Sequence, residues 1–321
     1  MSMRKSLILS LGAIALIGTT IAQAAPGDRL RERLKERMES RQGGSGERRG
    51  AQRDADAPRT RPDQTFAYGS DRLQQLDFYK AKGAAGPAPL VIFVHGGGWK
   101  RGSKDVAGSR YAPAHYTGLG YNYAAINYRL VPEATVEQQA ADVAQSVRAL
   151  LDRARELGID RSKVVLTGHS AGAHLVALVG TDEQYLRSGG LSFRDLAGVM
   201  PNDGAAYDVA AQMKDGGPMM QDTYVQAFGT DPVRQRALSP TLQAAAPNAP
   251  RFLLIHVQRQ DGVAQAKALE AALRQGGTTV ERREFEGRGL QGHAEINRQL
   301  GNPDYPATAV VDAWLKSIFG R

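Results

Sequence analysis

The chain has 321 residues, 42% of them hydrophobic and 23% charged, with a formal net charge of +8 and no cysteine. This length holds one large domain or two small ones, and a core of that size can do without disulfides. The missing cysteines exclude disulfides, thiolate metal sites and a cysteine nucleophile together.

Met1 to Ala24 opens with Arg4 and Lys5, runs apolar from Leu7 to Ile21 and ends in Ala22-Gln23-Ala24. This is the layout of a secretory signal peptide cut before Ala25, with an apolar run short for a membrane span. A periplasmic or secreted mature protein is therefore expected. Residues 25–64 hold 11 Arg/Lys against 8 Asp/Glu and are rich in Gly and Pro, so they read as a disordered basic linker. Within it, Leu30, Leu34 and Met38 have the spacing of one short amphipathic helix. Much of the positive charge thus sits in the ends, and no nucleic-acid partner is expected. The linker suits at most a weak contact with an anionic envelope surface.

From residue 65 the pattern alternates. "QLDFYK", "PLVIFV" and "YNYAAINY" read as strands, and Val136, Ala140, Val143, Val147, Leu150 and Leu151 follow a helical period. The strand "KVVLTG" and the helix "AGAHLVALVG" come next, then the strands "LAGVM" and "RFLLIHV". A helix over Ala264–Arg274, the strand "TVERREF" and the helix "ATAVVDAWLKSIF" close the chain. Apolar strands separated by helices predict one α/β domain over residues 65–321, a mostly parallel sheet with helices on both faces. Residues 205–230 break the rhythm. They hold three of the seven methionines and fit either an adaptable apolar wall or an irregular loop with core anchors.

"GHSAG", Gly168 to Gly172, lies between a predicted strand and a predicted helix. A serine that attacks a carbonyl must stand on a sharp turn, and the residues two before and two after it must lack side chains. Such a serine needs a base, and the base an orienting acid. Of the six histidines, His293 occupies a glycine-rich loop after the last strand and before the last helix, the place the base requires. Asp261 is the one carboxylate in the loop after "RFLLIHV", with Glu284 and Glu286 as competitors. The expected catalytic set is Ser170, Asp261 and His293. The developing oxyanion needs preorganised N–H donors. Ala171, directly after the serine, and Gly97 and Gly98 of "HGGGW" are the expected donors, with His95 bracing that loop.

With these motifs in this order, the chain resembles the α/β-hydrolase superfamily. It is most similar to the bacterial HGGG(W)/GHSAG carboxylesterases of hormone-sensitive-lipase-like and feruloyl-esterase-like type. The likeness runs over "HGGGWKRGSKD", "NYRL", "GHSAGAHLVAL", "DGAAYDV", Ser239-Pro240 and "INRQLG". It implies the α/β-hydrolase fold and hydrolysis of short acyl or small aromatic esters through an acyl-enzyme. It implies a small-molecule ester as partner, no cofactor or metal, and Trp99 and Tyr207 as pocket-lining residues. Many relatives carry H-G-x-x-D-x-x-V-P around the acid; here Asp261 comes one residue late and the Val-Pro is missing. Either a bulge absorbs the extra residue or the acid lies elsewhere. An arylformamidase-like amide hydrolase, with similar motifs, is the alternative activity. A non-catalytic binding protein on the same fold is a further reading, disfavoured because the serine, the histidine and a candidate acid are all retained.

Overall fold

The computed structural model describes residues 60–105 and 110–320; the expected leader and all but the end of the expected linker lie outside the described residues. Among the described residues eight strands form one sheet. They are β1 (Gln64–Ala67), β2 (Gln75–Tyr79), β3 (Ala88–Val94), β4 (Asn122–Ile126), β5 (Ile159–His169), β6 (Gly198–Asn202), β7 (Arg251–Val257) and β8 (Thr279–Phe285). Their order is β1-β2-β4-β3-β5-β6-β7-β8. β2 runs antiparallel to both its neighbours, and every other pairing is parallel.

The central strands of the sheet are buried on both faces, and β3 shows how the sequence specifies this. Leu90, Ile92 and Val94 enter one hydrophobic cluster, while Val91 and Phe93 enter the other. A continuous apolar run is therefore needed where an alternating one would leave a polar residue in a core. The principal helices are α1 (Ala112–Gly118), α2 (Val136–Asp152), α3 (Ala171–Thr181), α4 (Val209–Asp215), α5 (Gln221–Phe228), α6 (Gln260–Gln275), α7 (Gly289–Arg298) and α8 (Pro306–Phe319). Val136, Ala140, Val143 and Val147 of α2 pack on one face with Leu175 of α3 and Leu269 of α6. Tyr116 of α1, Ile296 of α7 and Val311, Trp314 and Leu315 of α8 pack on the other. Helix α2 starts at a capping box: the Gln138 N–H donates to Thr135 Oγ1 at 3.3 Å, and the Thr135 N–H donates to Gln138 Oε1 at 2.9 Å.

Two segments differ from the sequence expectation. β1 begins at Gln64, in the stretch read as linker; three of its four residues are exposed, so it carries little apolar pattern to read. Residues 205–230, the break in the rhythm, fold into α4, a single turn at Pro218–Met220 and α5. Tyr207, Val209, Tyr224 and Phe228 anchor this segment in the core, whereas Met219 is exposed.

Candidate active site

Strands β5, β6 and β7 end side by side, with His169 paired to Asn202 and Asn202 to Ile255. In an open parallel sheet the crevice beyond the carboxyl ends of the strands is where ligands bind. Ser170 stands between β5 and α3 with φ 57° and ψ −118°, a backbone conformation that costs a non-glycine residue of order 1–3 kcal/mol. Its N–H donates to Asn202 O at 3.1 Å. The flanking glycines permit this turn. A Cβ on Gly168 would lie 2.4 Å from Gly172 O, and one on Gly172 would lie 2.1 Å from Val94 O and 2.5 Å from His95 O. Those oxygens belong to backbone that cannot give way. Gly172→Ala is expected to cost about 3 kcal/mol or more, while Gly86→Ala, where the added methyl meets nothing within 4 Å, stays within about 0.5 kcal/mol; denaturant unfolding of the two variants checks the pair.

The loop "HGGGW" leaves β3 directly toward this turn. A Cβ on Gly96 would come 2.9 Å from the Ser170 Cβ, so the loop backbone lies against the serine. Gly97 (φ 116°) and Gly98 (φ 63°) are left-handed, and a Cβ on Gly97 would strike Arg101 O at 2.1 Å. The "NYRL" segment braces the loop. The Tyr128 hydroxyl donates to His95 O at 3.0 Å and its ring stacks on the imidazole with centroids 4.3 Å apart. Asn127 Oδ1 accepts from the Lys104 N–H at 2.6 Å. Burial pushes the His95 ring down to about 4, so it is neutral, and its Nδ1–H donates to Gly96 O at 2.7 Å.

His293 lies in α7, not in the expected loop. Gly287 (φ 138°) and Gly289 (φ 53°) turn the chain so sharply after β8 that a helix starts four residues before His293. Its Nδ1–H donates to a carboxylate at 2.5 Å, and that carboxylate is Asp203 Oδ2, not Asp261. The expectation for Asp261 is corrected here. Asp203 directly follows β6, with φ 44°. Its N–H donates to Ile255 O at 2.7 Å, and its Oδ1 accepts from the Val257 N–H at 3.2 Å. Both bonds fix the carboxylate between the ends of β6 and β7. Asp261 instead sits in the first turn of α6, where acidic residues are favoured, and its Oδ2 accepts from Arg259 Nη1 at 2.6 Å and Gln212 Nε2 at 3.1 Å. The extra residue in "HVQRQD" is not absorbed by a bulge; the carboxylate at the histidine comes from the neighbouring strand. Burial by itself raises the Asp203 carboxyl, but the His293 hydrogen bond and the charge of Arg259 outweigh it and hold the group below its ordinary range.

His169, inside the elbow, packs its ring 4.4 Å from the His293 ring, and its Nε2–H donates to His293 O at 2.9 Å. Burial, then the nearby His293, push it down to about 3, so it stays neutral. His169 fills the variable position of the elbow pattern, so the motif alone assigns it no role.

Ser170, His293, Gly97 and Gly98 line one cavity of about 1220 Å³, together with Trp99, Met220, Thr223, Tyr224 and Arg259. Ala171 begins α3, whose first N–H groups have no partner inside the helix. Trp99 is only 2% exposed and serves packing as well: its Nε1–H donates to His174 Nδ1 at 3.3 Å, and its ring contacts Phe228 at 4.7 Å. His174 is held as the Nε2–H tautomer by donation to Leu238 O at 2.8 Å. Tyr207 is not among the lining residues; it is 2% exposed and buried in the core, the correction to its expected place on the wall. Tyr224 stands there instead. Among the described residues no group of three or more His, Asp and Glu could hold a metal ion, and no helix is long and apolar enough to cross a membrane.

Residues 76–202 match the BD-FAE family model. Esterase LipC of Mycobacterium tuberculosis is 35% identical over 123 residues, 37% of this chain and 30% of that protein. A kynurenine formamidase of Danio rerio is 33% identical over 112 residues, 35% of this chain and 36% of its own. The chain thus spans about a third of the length of the curated relatives it matches. In structure, esterase B of Lactobacillus rhamnosis superimposes with a TM-score of 0.66 at 22% identity, over 89% of this chain and 96% of that one. A butyrate-bound esterase of Thermogutta terrifontis gives 0.63 at 23%, over 79% and 94%. The chain has the α/β-hydrolase fold, and the matches bear out the resemblance to its esterase branch.

Proposed function

We propose that this protein is a serine hydrolase that cleaves small carboxylic esters through an acyl-enzyme on Ser170, with His293 as base and Asp203 as the acid that orients it. The observation that carries this reading is the 2.5 Å bond from His293 Nδ1 to Asp203 beside a strained Ser170 in one cavity. With Nδ1 committed to the carboxylate, Nε2 is the free base. It takes the Ser170 hydroxyl proton as Oγ attacks the ester carbonyl, and the imidazolium is stabilised by Asp203. The oxyanion is met by the N–H of Ala171 and those of Gly97 and Gly98. Collapse of the tetrahedral intermediate expels the alcohol, which takes the proton from His293. Water then attacks the acyl-enzyme by the same path and frees the acid.

A cavity of about 1220 Å³ with Trp99, Met220 and Tyr224 on its wall accommodates a short acyl or small aromatic ester. The esterases among the relatives support this reading. The kynurenine formamidases support amide cleavage by the same constellation as the second reading, since a formyl-enzyme forms in the same way. We further propose export, on the basic start, apolar run and small-residue end of Met1 to Ala24.

The test is release of nitrophenol by purified residues 25–321 from esters running from acetate to laurate, beside an aryl formamide. Treatment with a nitrophenyl phosphonate follows, with mass analysis of the product. The expected outcome is preference for short chains and a single phosphonyl adduct on the peptide containing Ser170. No turnover of any ester or formamide together with no adduct would sink the hydrolase reading; turnover of the formamide alone would replace the ester with the amide.

A further inference from the structure

The ion pair that displaced Asp261 from its expected role lies beside the acid that took it over. Arg259 Nε is 3.5 Å from Asp203 Oδ2, the oxygen that also accepts the hydrogen bond from His293 Nδ1–H. Arg259 Nη2 donates to Gly204 O at 3.2 Å, the carbonyl next along the chain. Nη1 donates to Asp261 Oδ2 at 2.6 Å. That same oxygen accepts from Gln212 Nε2, and Gln212 Oε1 accepts from the Ala206 N–H at 3.3 Å. The guanidinium therefore ties the β7–α6 turn to the strand end that carries Asp203. The side chain is 15% exposed and Asp203 wholly buried, so neither charge can rely on water for its solvation.

We propose that Arg259 is a positioning residue for the reaction, a clamp that holds Asp203 at His293, and that Asp261 is the counter-ion that keeps the clamp's positive charge from opposing the imidazolium. This rests on the triad reading above. Charge counting gives the reason for both halves. Asp203, Arg259 and Asp261 sum to −1 beside a neutral His293, so taking up the serine proton brings the cluster to zero. Without Asp261 the same step would carry a poorly solvated cluster from zero to +1. Without Arg259 the carboxylates would sum to −2, over-favouring the imidazolium and losing the tie to Gly204. Other groups facing His293 leave this arithmetic unchanged. His169 from β5 is neutral, and Glu295 and Arg298 on α7 pair with each other. Lys100, Arg101 and Asp215 line the cavity on other segments and are the same in every variant below.

The experiment is the protonation midpoint of His293 read by histidine NMR in the full chain, which needs no substrate, beside the pH profile of kcat/KM. Arg259→Met is expected to raise the midpoint and Asp261→Asn to lower it, each by roughly one pH unit. The double variant returns it to within about 0.3 unit of the wild type, because the two charges removed cancel. Arg259→Lys keeps the midpoint near the wild-type value but lowers kcat, since an ammonium lacks the fork that reaches Asp203, Gly204 and Asp261 together. Thermal melts accompany each variant, and Asp261→Asn, at a partly exposed side chain, carries the test if Arg259→Met fails to fold. Midpoints that move the same way, or an Asp261→Asn midpoint within about 0.2 unit of the wild type, overturn the proposal. Ser170→Ala separates this result from the parent reading: ester turnover that survives it removes the triad mechanism, while the midpoints still decide the charge arrangement.

Discussion

Ser170→Ala is expected to lower kcat on a nitrophenyl ester by about 10⁵–10⁶-fold while leaving the melting temperature nearly unchanged. The loss is that large because the remaining groups have no covalent role. His293 and Asp203 would still form their 2.5 Å bond, and the donors of the glycine loop would remain, but no oxygen would be placed to attack. Alanine at this position keeps the positive φ of 57° and therefore keeps its strain. Ser170→Gly separates chemistry from strain. Glycine adopts this backbone freely, so the variant is expected to be as inactive as Ser170→Ala yet more stable by about 1 kcal/mol, roughly 2–4 °C in melting temperature. Calorimetry on the three proteins checks it. Equal melting points for the glycine and alanine variants would mean that the turn stores no appreciable strain and that the serine is not held there at the expense of stability.

The elbow was legible in the sequence because its demands are local. Gly168 and Gly172 are forced by contacts with Gly172, Val94 and His95 backbone, and all of these lie within or directly before the two motifs. His293 was legible for a similar reason, since only one histidine follows the last strand. The acid was not. Its side chain can be supplied from the end of either β6 or β7, because both strands finish within reach of the histidine, and pattern alone does not choose between them. Two signals in the chain do point to the choice. The motif around Asp261 has one residue too many and lacks its Val-Pro. Asp203-Gly204 follows, with two residues between, the short strand "LAGVM", next to the strand that bears the serine. Tyr207 misled for a different reason: Ala205, two residues before it, lines the cavity, but Tyr207 itself is packed in the core and Tyr224 lines the cavity in its place. The resemblance places Tyr207 by its position in a motif, and such a position does not say against which surface the ring packs.

The two candidate acids give opposite expectations. Asp203→Asn should lower kcat/KM by about 10⁴-fold at pH 8, the size of loss seen when a triad carboxylate becomes an amide. The cause is specific. The carboxylate receives the Nδ1–H of His293, so Nε2 is left as the base. An asparagine can turn its NH₂ toward Nδ1, which fixes the wrong tautomer and places a hydrogen on Nε2 where the serine proton must go. It also removes the charge that stabilises the imidazolium. Asp261→Asn should cost less than about tenfold at the same pH, because Asp261 bonds Arg259 and Gln212 instead of the histidine, whose tautomer is untouched. What changes is the field of Arg259, no longer offset by its counter-ion at 2.6 Å, and that shows on the acid side of the profile instead of at its plateau. Steady-state kinetics of both variants from pH 5 to 9 decide the matter. A large loss at Asp261 with a small one at Asp203 would return the acid to the β7 loop and require that loop to rearrange around substrate. The expected pattern would mean that one strand of displacement in the sheet, from β7 to β6, has been accommodated without moving either the serine or the histidine.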